Sequence, residues 1–123
     1  MKEDIFQKVI EQEKQAREFG FYWESLEQLV EQIQSECAEI QDAANRQDAS
    51  HLQEEVGDLI LAAISLAIFC NVDPHKALQD SSCKFQKRYD AMVNLVKLDG
   101  REHLKAQATQ VLLHYWKRAK AAT

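Results

Sequence analysis

Glycine and proline are scarce in this chain, with three and one respectively among 123 residues. Tight turns between strands are built largely from these two residue types, so a strand-rich fold would need more of them. A chain of this length suits one domain with its own core. We therefore predict an all-α fold, an antiparallel bundle of four to five helices, in a single domain over residues 1–123.

Apolar periodicity predicts a weaker N-terminal helix and four stronger ones. Gly20 ends the first helix, Ser50 is the predicted N-cap of the third, and Asp73 with Pro74 opens the fourth. The predicted helices cover residues 3–18, about 25–45, 50 to about 70, 74 to near 99, and at least 107–120. Residues predicted to face inward include Leu26, Leu29, Val30, Val56, Leu78, Phe85, Tyr89, Val96, Leu112 and Tyr115.

Charge and hydropathy narrow the classes of partner. The net charge is −5, from 15 Lys and Arg against 20 Asp and Glu, whereas proteins that bind nucleic-acid polymers usually present a basic face. A small anionic substrate stays compatible, because metal ions can lie between protein carboxylates and phosphates. The longest nearly apolar run, Leu59–Cys70, is interrupted only by Ser65 and is too short for a bilayer. Met1–Asp4 lacks an apolar signal core, so we expect a cytoplasmic protein without a membrane segment.

The three cysteines, Cys37, Cys70 and Cys83, are odd in number, and their spacing matches no metal motif. This pattern is typical of unpaired thiols in a reducing compartment. We expect all three to be reduced and to lie buried or half-buried, as free cysteines usually do.

Two pairs of carboxylates stand out. Glu36 and Glu39 lie on the second predicted helix, and Glu55 and Asp58 lie on the third, each pair at i and i+3. At about 100° per residue both pairs occupy the same flank of their helices, so antiparallel packing can bring all four into one cleft. Such oxygen-rich clusters suit Mg²⁺ or Mn²⁺, although one isolated pair is more often a solvated face. Gly57 within the second pair indicates close approach of a metal or of a neighbouring helix.

A basic pair follows on the fourth predicted helix. Lys84 and Arg88 lie at i and i+4, on one flank of that helix. Arginine offers a planar fork and lysine a point charge, so the pair can clamp phosphate groups. Taken alone, two such residues are more often simply surface residues.

In their order and spacing these residues resemble the MazG family of all-α nucleoside triphosphate pyrophosphohydrolases. The resemblance extends from about residue 19 to residue 120, and the chain departs from the family pattern at Gln32, Ser35, Ser82 and Tyr22. The segments that carry it are Phe19-Gly20-Phe21-Tyr22-Trp23, Ser35-Glu36-Cys37-Ala38-Glu39, Glu54 to Leu61, Val72-Asp73-Pro74 with Ala77-Leu78, Lys84-Phe85-Gln86-Lys87-Arg88-Tyr89 and Trp116-Lys117-Arg118-Ala119-Lys120.

The resemblance implies magnesium-dependent hydrolysis of a nucleoside triphosphate to the monophosphate and pyrophosphate. The four carboxylates would hold Mg²⁺ or Mn²⁺, and Glu39 is the first candidate among them for orienting the attacking water. The basic pair would hold the phosphates. Trp116 would stack on the base or line its pocket, with Lys120 nearby, unless it is a core or interface aromatic.

Two other functions compete with this one. The first is a non-enzymatic helical module that senses nucleotides or binds a protein, and the second is a narrow dUTP or dCTP diphosphatase. The predicted third helix also bears on assembly, since it is apolar on nearly every side between Leu59 and Phe69. A lone small bundle hardly covers such a helix, so we expect a homodimer or a dimer of dimers.

Overall fold

The computed structural model of the chain describes residues 4–123, and within that range every regular element is an α-helix. The prediction of an all-α fold is therefore confirmed. The chain forms two compact units, the first ending at His75 and the second covering Lys76–Thr123. The helices are α1 (Ile5–Phe19), α2 (Leu26–Asn45), α3 (Ala49–Phe69), α4 (Pro74–Leu98) and α5 (Thr109–Ala122).

The first unit begins with α1, whose ends are set by local hydrogen bonds. The Asp4 side chain caps the N-terminus by accepting from the backbone N–H groups of Phe6 and Gln7. Gly20 ends the helix in the left-handed region, with a φ of 105°, which glycine adopts without steric cost. Residues 1–3, which include the predicted first helical position and most of the N-terminus examined for a signal core, lie outside the described range.

A helical hairpin of α2 and α3 forms the body of the first unit, with α1 packed against α3. Only three residues, 46–48, join the two helices, so they run antiparallel. The predicted N-cap of α3 was wrong. Asp48 takes that place, because its Oδ1 accepts from the N–H of His51 at 3.1 Å, and Ser50 lies inside the first turn.

The second unit holds α5 and nearly all of α4. As predicted, α4 starts at Pro74, and Asp73 Oδ1 accepts from the N–H of His75 at 2.9 Å. The predicted start of α5 by residue 107 was wrong, since the helix begins at Thr109. Ala106, the residue just before the predicted start, has a φ of 61°, which lies in the left-handed region and not in the region of an α-helix.

The exposure of several apolar residues differs from expectation. Of the residues named above as facing inward, Leu29, Val96 and Tyr115 are buried as predicted. The others are each more than a third exposed, because so few helices cannot cover a full stripe on each. The cysteines Cys37, Cys70 and Cys83 are free, as expected, but all three are exposed, which corrects the expectation of burial. Around Gly57 an added Cβ would meet nothing within 4 Å, so no neighbouring helix of the first unit, as far as the structure describes it, approaches Gly57 closely.

Between residues 4 and 123, no helix taken singly has the length and apolar character needed to cross a membrane. The pair α3 and α4, which is broken between Phe69 and Pro74, meets the length and composition criteria only when its two helices are taken together.

Candidate metal centre and substrate pocket

Three carboxylates of the hairpin converge. Glu36, Glu39 and Glu55 each bring an oxygen within 4.8 Å of the others. Glu36 and Glu55 are buried, with 8% and 6% of their surface exposed, whereas Glu39 is exposed. We call these three residues the carboxylate cluster. The spacing of i and i+3 on α2 therefore brings Glu36 and Glu39 together on the side that meets α3, as the sequence predicted.

Neighbouring side chains satisfy only part of the cluster. Gln32 Nε2 donates to Glu36 Oε1 at 2.7 Å, and His51 Nε2 lies 3.3 Å from Glu55 Oε1. The second oxygen of each buried carboxylate, Glu36 Oε2 and Glu55 Oε2, is buried with no hydrogen-bond partner among the described residues. Buried polar atoms are nearly always satisfied, so two adjacent exceptions point to a missing partner.

The mutual repulsion of the cluster shows in the pKa of Glu55, which rises from its ordinary value of 4.5 to about 7. The largest cause is a side-chain hydrogen bond with Glu39, and burial and the neighbouring Glu36 act in the same direction. That hydrogen bond needs a proton on one of the two carboxyl groups. Once both are ionised, neither can donate, and the cluster is left with close negative charges beside which only His51 could carry a positive charge.

These residues fit a hard divalent cation. Mg²⁺ binds oxygen ligands at about 2.1 Å, so ligand oxygens around one ion lie at most about 4.2 Å apart, close to the spacing of the cluster. A cation would supply both the missing partner for the orphaned oxygens and the missing positive charge. Since no histidine or cysteine belongs to the cluster, the donor set is of the all-oxygen kind that Mg²⁺ and Mn²⁺ prefer.

Asp58 lies outside the carboxylate cluster, although the spacing predicted that all four carboxylates would converge. It is exposed and stands almost one turn after Glu55 on α3. The antiparallel hairpin places it at the level of Glu36, and both residues line the same pocket. Its role as a metal ligand remains a prediction.

The pocket beside the cluster has a volume of about 550 Å³, within the usual range for small-molecule sites. It lies wholly in the first unit. Its lining residues come from α1, from the segment after α1, and from the facing sides of α2 and α3. They include Phe21, Tyr22 and Trp23 on one wall and Gln12, Glu13, Gln32 and Ser65 as uncharged or acidic polar groups.

Sequence reasoning missed most of this pocket. The segment Phe21–Trp23 carried part of the family resemblance, but no role was assigned to it. Glu13 was overlooked because α1 is polar with a thin apolar stripe. The sequence feature that could have indicated the pocket was Ser65, the one polar residue in the apolar run Leu59–Cys70.

The remaining predicted site residues lie in the second unit. Lys84 is exposed and Arg88 half-buried on α4, and the i, i+4 spacing puts them on one side of the helix. Trp116 is half-buried on α5, with its ring centroid 5.6 Å from that of Phe85, so part of its surface is used in packing. Lys120 is exposed in the last turn of α5. The binding roles of these four residues remain predictions.

An all-α hairpin with a carboxylate cluster suited to a hard cation and open to an aromatic-walled pocket defines a class of metal-dependent, small-molecule site. Residues 24–93 match the family described as the MazG nucleotide pyrophosphohydrolase domain, and the chain belongs to that family. The matched span contains the carboxylate cluster, Asp58, Lys84 and Arg88, and it ends before Trp116 and Lys120.

Two relatives illustrate the likeness. The chain is 35% identical over 108 residues to the nucleoside triphosphate pyrophosphohydrolase/pyrophosphatase MazG of Thermotoga maritima, which covers 88% of this chain and 41% of that protein. It is 30% identical over 92 residues to the nucleoside triphosphate pyrophosphohydrolase of Escherichia coli K12, covering 73% of this chain and 35% of that protein. The chain therefore spans about two fifths or less of the length of these relatives.

Proposed function

We propose that this chain hydrolyses nucleoside or deoxynucleoside triphosphates to the monophosphate and pyrophosphate, in a metal-dependent reaction that serves nucleotide-pool housekeeping in the cytoplasm. One observation carries the proposal. Two buried carboxylate oxygens of the cluster lack a partner, and one of their side chains, Glu36, also lines the pocket. The names of the two relatives, both nucleoside triphosphate pyrophosphohydrolases, support the same reaction.

Glu36, Glu39 and Glu55 would hold Mg²⁺ or Mn²⁺, with Asp58 as a further ligand from the pocket side. A cation held there would neutralise phosphate charge and lower the pKa of an attacking water. Gln32 holds Glu36 in place through its 2.7 Å hydrogen bond, which leaves the second oxygen of Glu36 free. Glu39 is the exposed member of the cluster, so it is the carboxylate that water reaches most easily and our candidate for orienting the nucleophile.

Lys84 and Arg88 are proposed to bind the phosphates, and Trp116 and Lys120 to contact the nucleoside; these assignments rest on side-chain chemistry and the family pattern. We also propose that residues 1–123 act as one domain and assemble as a homodimer or a dimer of dimers. The exposed apolar side chains of α3 support the assembly, since Val56, Ile60 and Leu61 are 40%, 56% and 44% exposed.

The direct test is the identity of the products. ³¹P NMR should follow a panel of ribo- and deoxynucleoside triphosphates with the purified chain in Mg²⁺ and in EDTA. We expect at least one nucleotide to give monophosphate and pyrophosphate in Mg²⁺ and none to react in EDTA. Release of diphosphate and orthophosphate would refute the proposed bond cleavage, and binding without turnover would favour a nucleotide sensor.

A further inference from the structure

The pocket has a direction, which the register of the hairpin defines. Glu39 and Glu55 meet across the two helices. In an antiparallel pair, residues progressively earlier on α2 lie at the same height as residues progressively later on α3. Counted outward from the connection at residues 46–48, the pocket-lining residues of the two helices lie at three successive levels, which match Glu36 with Asp58, Gln32 with Ala62, and Leu29 with Ser65.

On α3 the two polar ends, Asp58 and Ser65, are separated by apolar residues only. From Asp58 to Ser65 is seven residues of α3, or about 10.5 Å along the helix axis. The Glu36 and Asp58 end adjoins the carboxylate cluster, where the phosphates would lie. The floor between the ends carries Leu61 and Ala62, whereas Leu29 lies at the Ser65 end. A nucleoside is about as long as this interval, so its base would reach the Ser65 end.

An aromatic wall runs beside this floor. Phe21 and Trp23 line the pocket and remain 80% and 38% exposed, and neither ring is stacked on another ring or a cation among residues 4–123. Tyr22 differs, because the guanidinium of Arg17 lies 5.5 Å from its ring centroid. Free aromatic faces beside an apolar floor are the surfaces on which nucleobases stack.

Glu13 of α1 and Ser65 of α3 close the far end. The Ser65 hydroxyl donates to Glu13 Oε1, and it lies 3.1 Å from the carbonyl oxygen of Leu61. Glu13 is half-buried, and no other partner of its carboxylate is found among residues 4–123. An ionised carboxylate offers only acceptors. The base end of the pocket thus presents an acceptor that Ser65 positions.

We propose that Glu13 selects nucleobases with an exocyclic amino group at C4 of a pyrimidine or C6 of a purine, namely cytosine and adenine, over their oxo counterparts, uracil and hypoxanthine. The amino group donates to the Glu13 carboxylate, whereas a carbonyl oxygen at the same position meets it with a repulsive acceptor–acceptor contact. This inference rests on the proposed function, since it takes the triphosphate to lie at the carboxylate cluster. It places the base against Phe21 and Trp23, which line the pocket, and so replaces the nucleoside contact with Trp116 that the family pattern favours.

The test compares nucleotides that differ at this single group. For the wild-type chain, kcat/KM should be at least about tenfold higher for CTP than for UTP and for ATP than for ITP, because the wrong base leaves a partly buried acceptor unpaired. Glu13→Gln should bring both ratios to within about threefold, since an amide can turn its NH₂ towards a carbonyl. Glu11→Gln removes the same charge from an exposed position of α1 outside the pocket and should leave both ratios unchanged.

Ser65 is a positioning residue, so its variants test a different readout. Ser65→Ala should narrow the CTP to UTP ratio through KM with little change in kcat, and Ser65→Thr, which keeps the hydroxyl, should restore the ratio. Calorimetric titration with CMP and UMP, which needs no turnover, should show tighter binding of CMP by the wild type and equal binding by Glu13→Gln. Trp23→Ala should weaken CMP binding more than Trp116→Ala.

The outcomes separate this inference from the proposed function. If no nucleotide is hydrolysed and neither monophosphate binds, the proposed function fails and the inference fails with it. If triphosphates are hydrolysed with equal kcat/KM for CTP and UTP, or if Glu13→Gln and Glu11→Gln behave alike, the inference alone is overturned. Greater loss of CMP binding in Trp116→Ala than in Trp23→Ala would place the base elsewhere and also overturn it.

Discussion

Each unit of the molecule contains a carboxylate in close contact with other polar side chains, buried in the first unit and exposed in the second, and the two have opposite surroundings. In the second unit, Asp99 Oδ2 accepts from Tyr115 Oη and from Arg118 Nη1, both at 2.8 Å. The Arg118 hydrogen bond, followed by that of Tyr115, holds the pKa of Asp99 below its ordinary value. In the first unit, no arginine or lysine among the described residues contacts the cluster, and His51 is the neighbour of Glu55; Glu39 with burial raises the pKa of Glu55.

The contrast distinguishes a carboxylate with a structural role, Asp99, from carboxylates that we propose bind a ligand, those of the cluster. Asp99 ties the end of α4 to α5 with its acceptors filled, and the same contact raises the pKa values of Tyr115 and Arg118. The carboxylate cluster instead keeps two buried oxygens without donors, which costs stability unless something binds there. We interpret the second arrangement as a binding site, because binding sites commonly keep groups that lower the stability of the fold.

The largest expected effect comes from neutralising one carboxylate in each region. Glu36→Gln should lower kcat/KM at least about 100-fold, the upper end of what indirect support of a metal ligand contributes. It should leave the metal-free protein as stable or more stable, because a buried unpaired charge is removed. Asp99→Asn should melt at a lower temperature and keep its kcat/KM within about twofold of wild type. Steady-state kinetics and thermal melting in EDTA measure both.

The contrast between the two regions would be contradicted if Asp99→Asn lost activity and Glu36→Gln lost stability instead. A Glu36→Gln protein that turns over normally would remove Glu36 from the site. Asp58→Asn extends the test to the residue outside the cluster, and as a ligand Asp58 should be needed for most of the activity and for part of the Mg²⁺-induced rise in melting temperature.

The two regions should also differ in their pH dependence. A raised pKa means that folded Glu55 holds its proton more tightly than the unfolded chain does. Its contribution to metal-free stability is therefore complete below pH 4.5 and is lost as the pH rises through about 7. Asp99 has the opposite sign, since its lowered pKa gives stability that is present above pH 3.8 and is lost as the pH falls below that value.

Thermal melting in EDTA across this pH range checks the sign. The wild type should lose stability between pH 4.5 and about 7, and Glu55→Gln should lack that loss. Protons compete with the cation for the same oxygens, so the rise in melting temperature caused by Mg²⁺ should be larger near pH 8 than near pH 5. An equal rise at both values would contradict a site built on Glu55.

A smaller effect on the melting temperature is expected when Tyr115, whose phenol donates to Asp99, is changed. Tyr115→Phe removes one of the two donors to Asp99 Oδ2 and should lower the melting temperature without changing kcat/KM. Tyr89→Phe is the matched control, because Tyr89 is exposed and stacks on Phe85 through its ring, which phenylalanine keeps. Equal melting temperatures for the two variants would show that the Asp99 network contributes nothing to the fold.

The smallest expected change is at Gly57 on α3. Nothing within 4 Å would meet an added Cβ, and alanine is favoured over glycine in a helix by about 1 kcal/mol. Gly57→Ala should therefore raise the free energy of unfolding by up to about 1 kcal/mol, as measured in urea. A decrease that grows with protein concentration would instead place a second copy of the chain against this face of α3.

The difference between the regions also explains what the sequence could predict. The cluster was foreseeable because helical spacing is rigid, so i and i+3 carboxylates on adjoining helices have few possible placements. The contact between Glu13 and Ser65 spans 52 positions and depends on how α1 packs, which no local pattern encodes. Helix ends were predictable within a few residues, but Asp48 and Ser50 both favour N-caps, and only the packed hairpin distinguishes them.

The burial of individual side chains was the least predictable property. An apolar stripe shows which side of a helix can face a core, yet the number of neighbouring helices decides whether that side is covered. Leu29 is fully buried between its neighbours, whereas Leu26, one turn earlier on α2, remains 42% exposed. The burial predicted for the three cysteines was wrong for the same reason.

The most direct test of the account is to titrate the metal-free chain with Mn²⁺ and to measure the concentration of the free ion by electron paramagnetic resonance. We expect saturable binding by the wild type, equal binding by Asp99→Asn, and binding weakened at least about tenfold in Glu36→Gln and in Glu55→Gln. Equal Mn²⁺ affinity in all four proteins would contradict a metal centre at the carboxylate cluster, and with it the assignment of hydrolysis to that site.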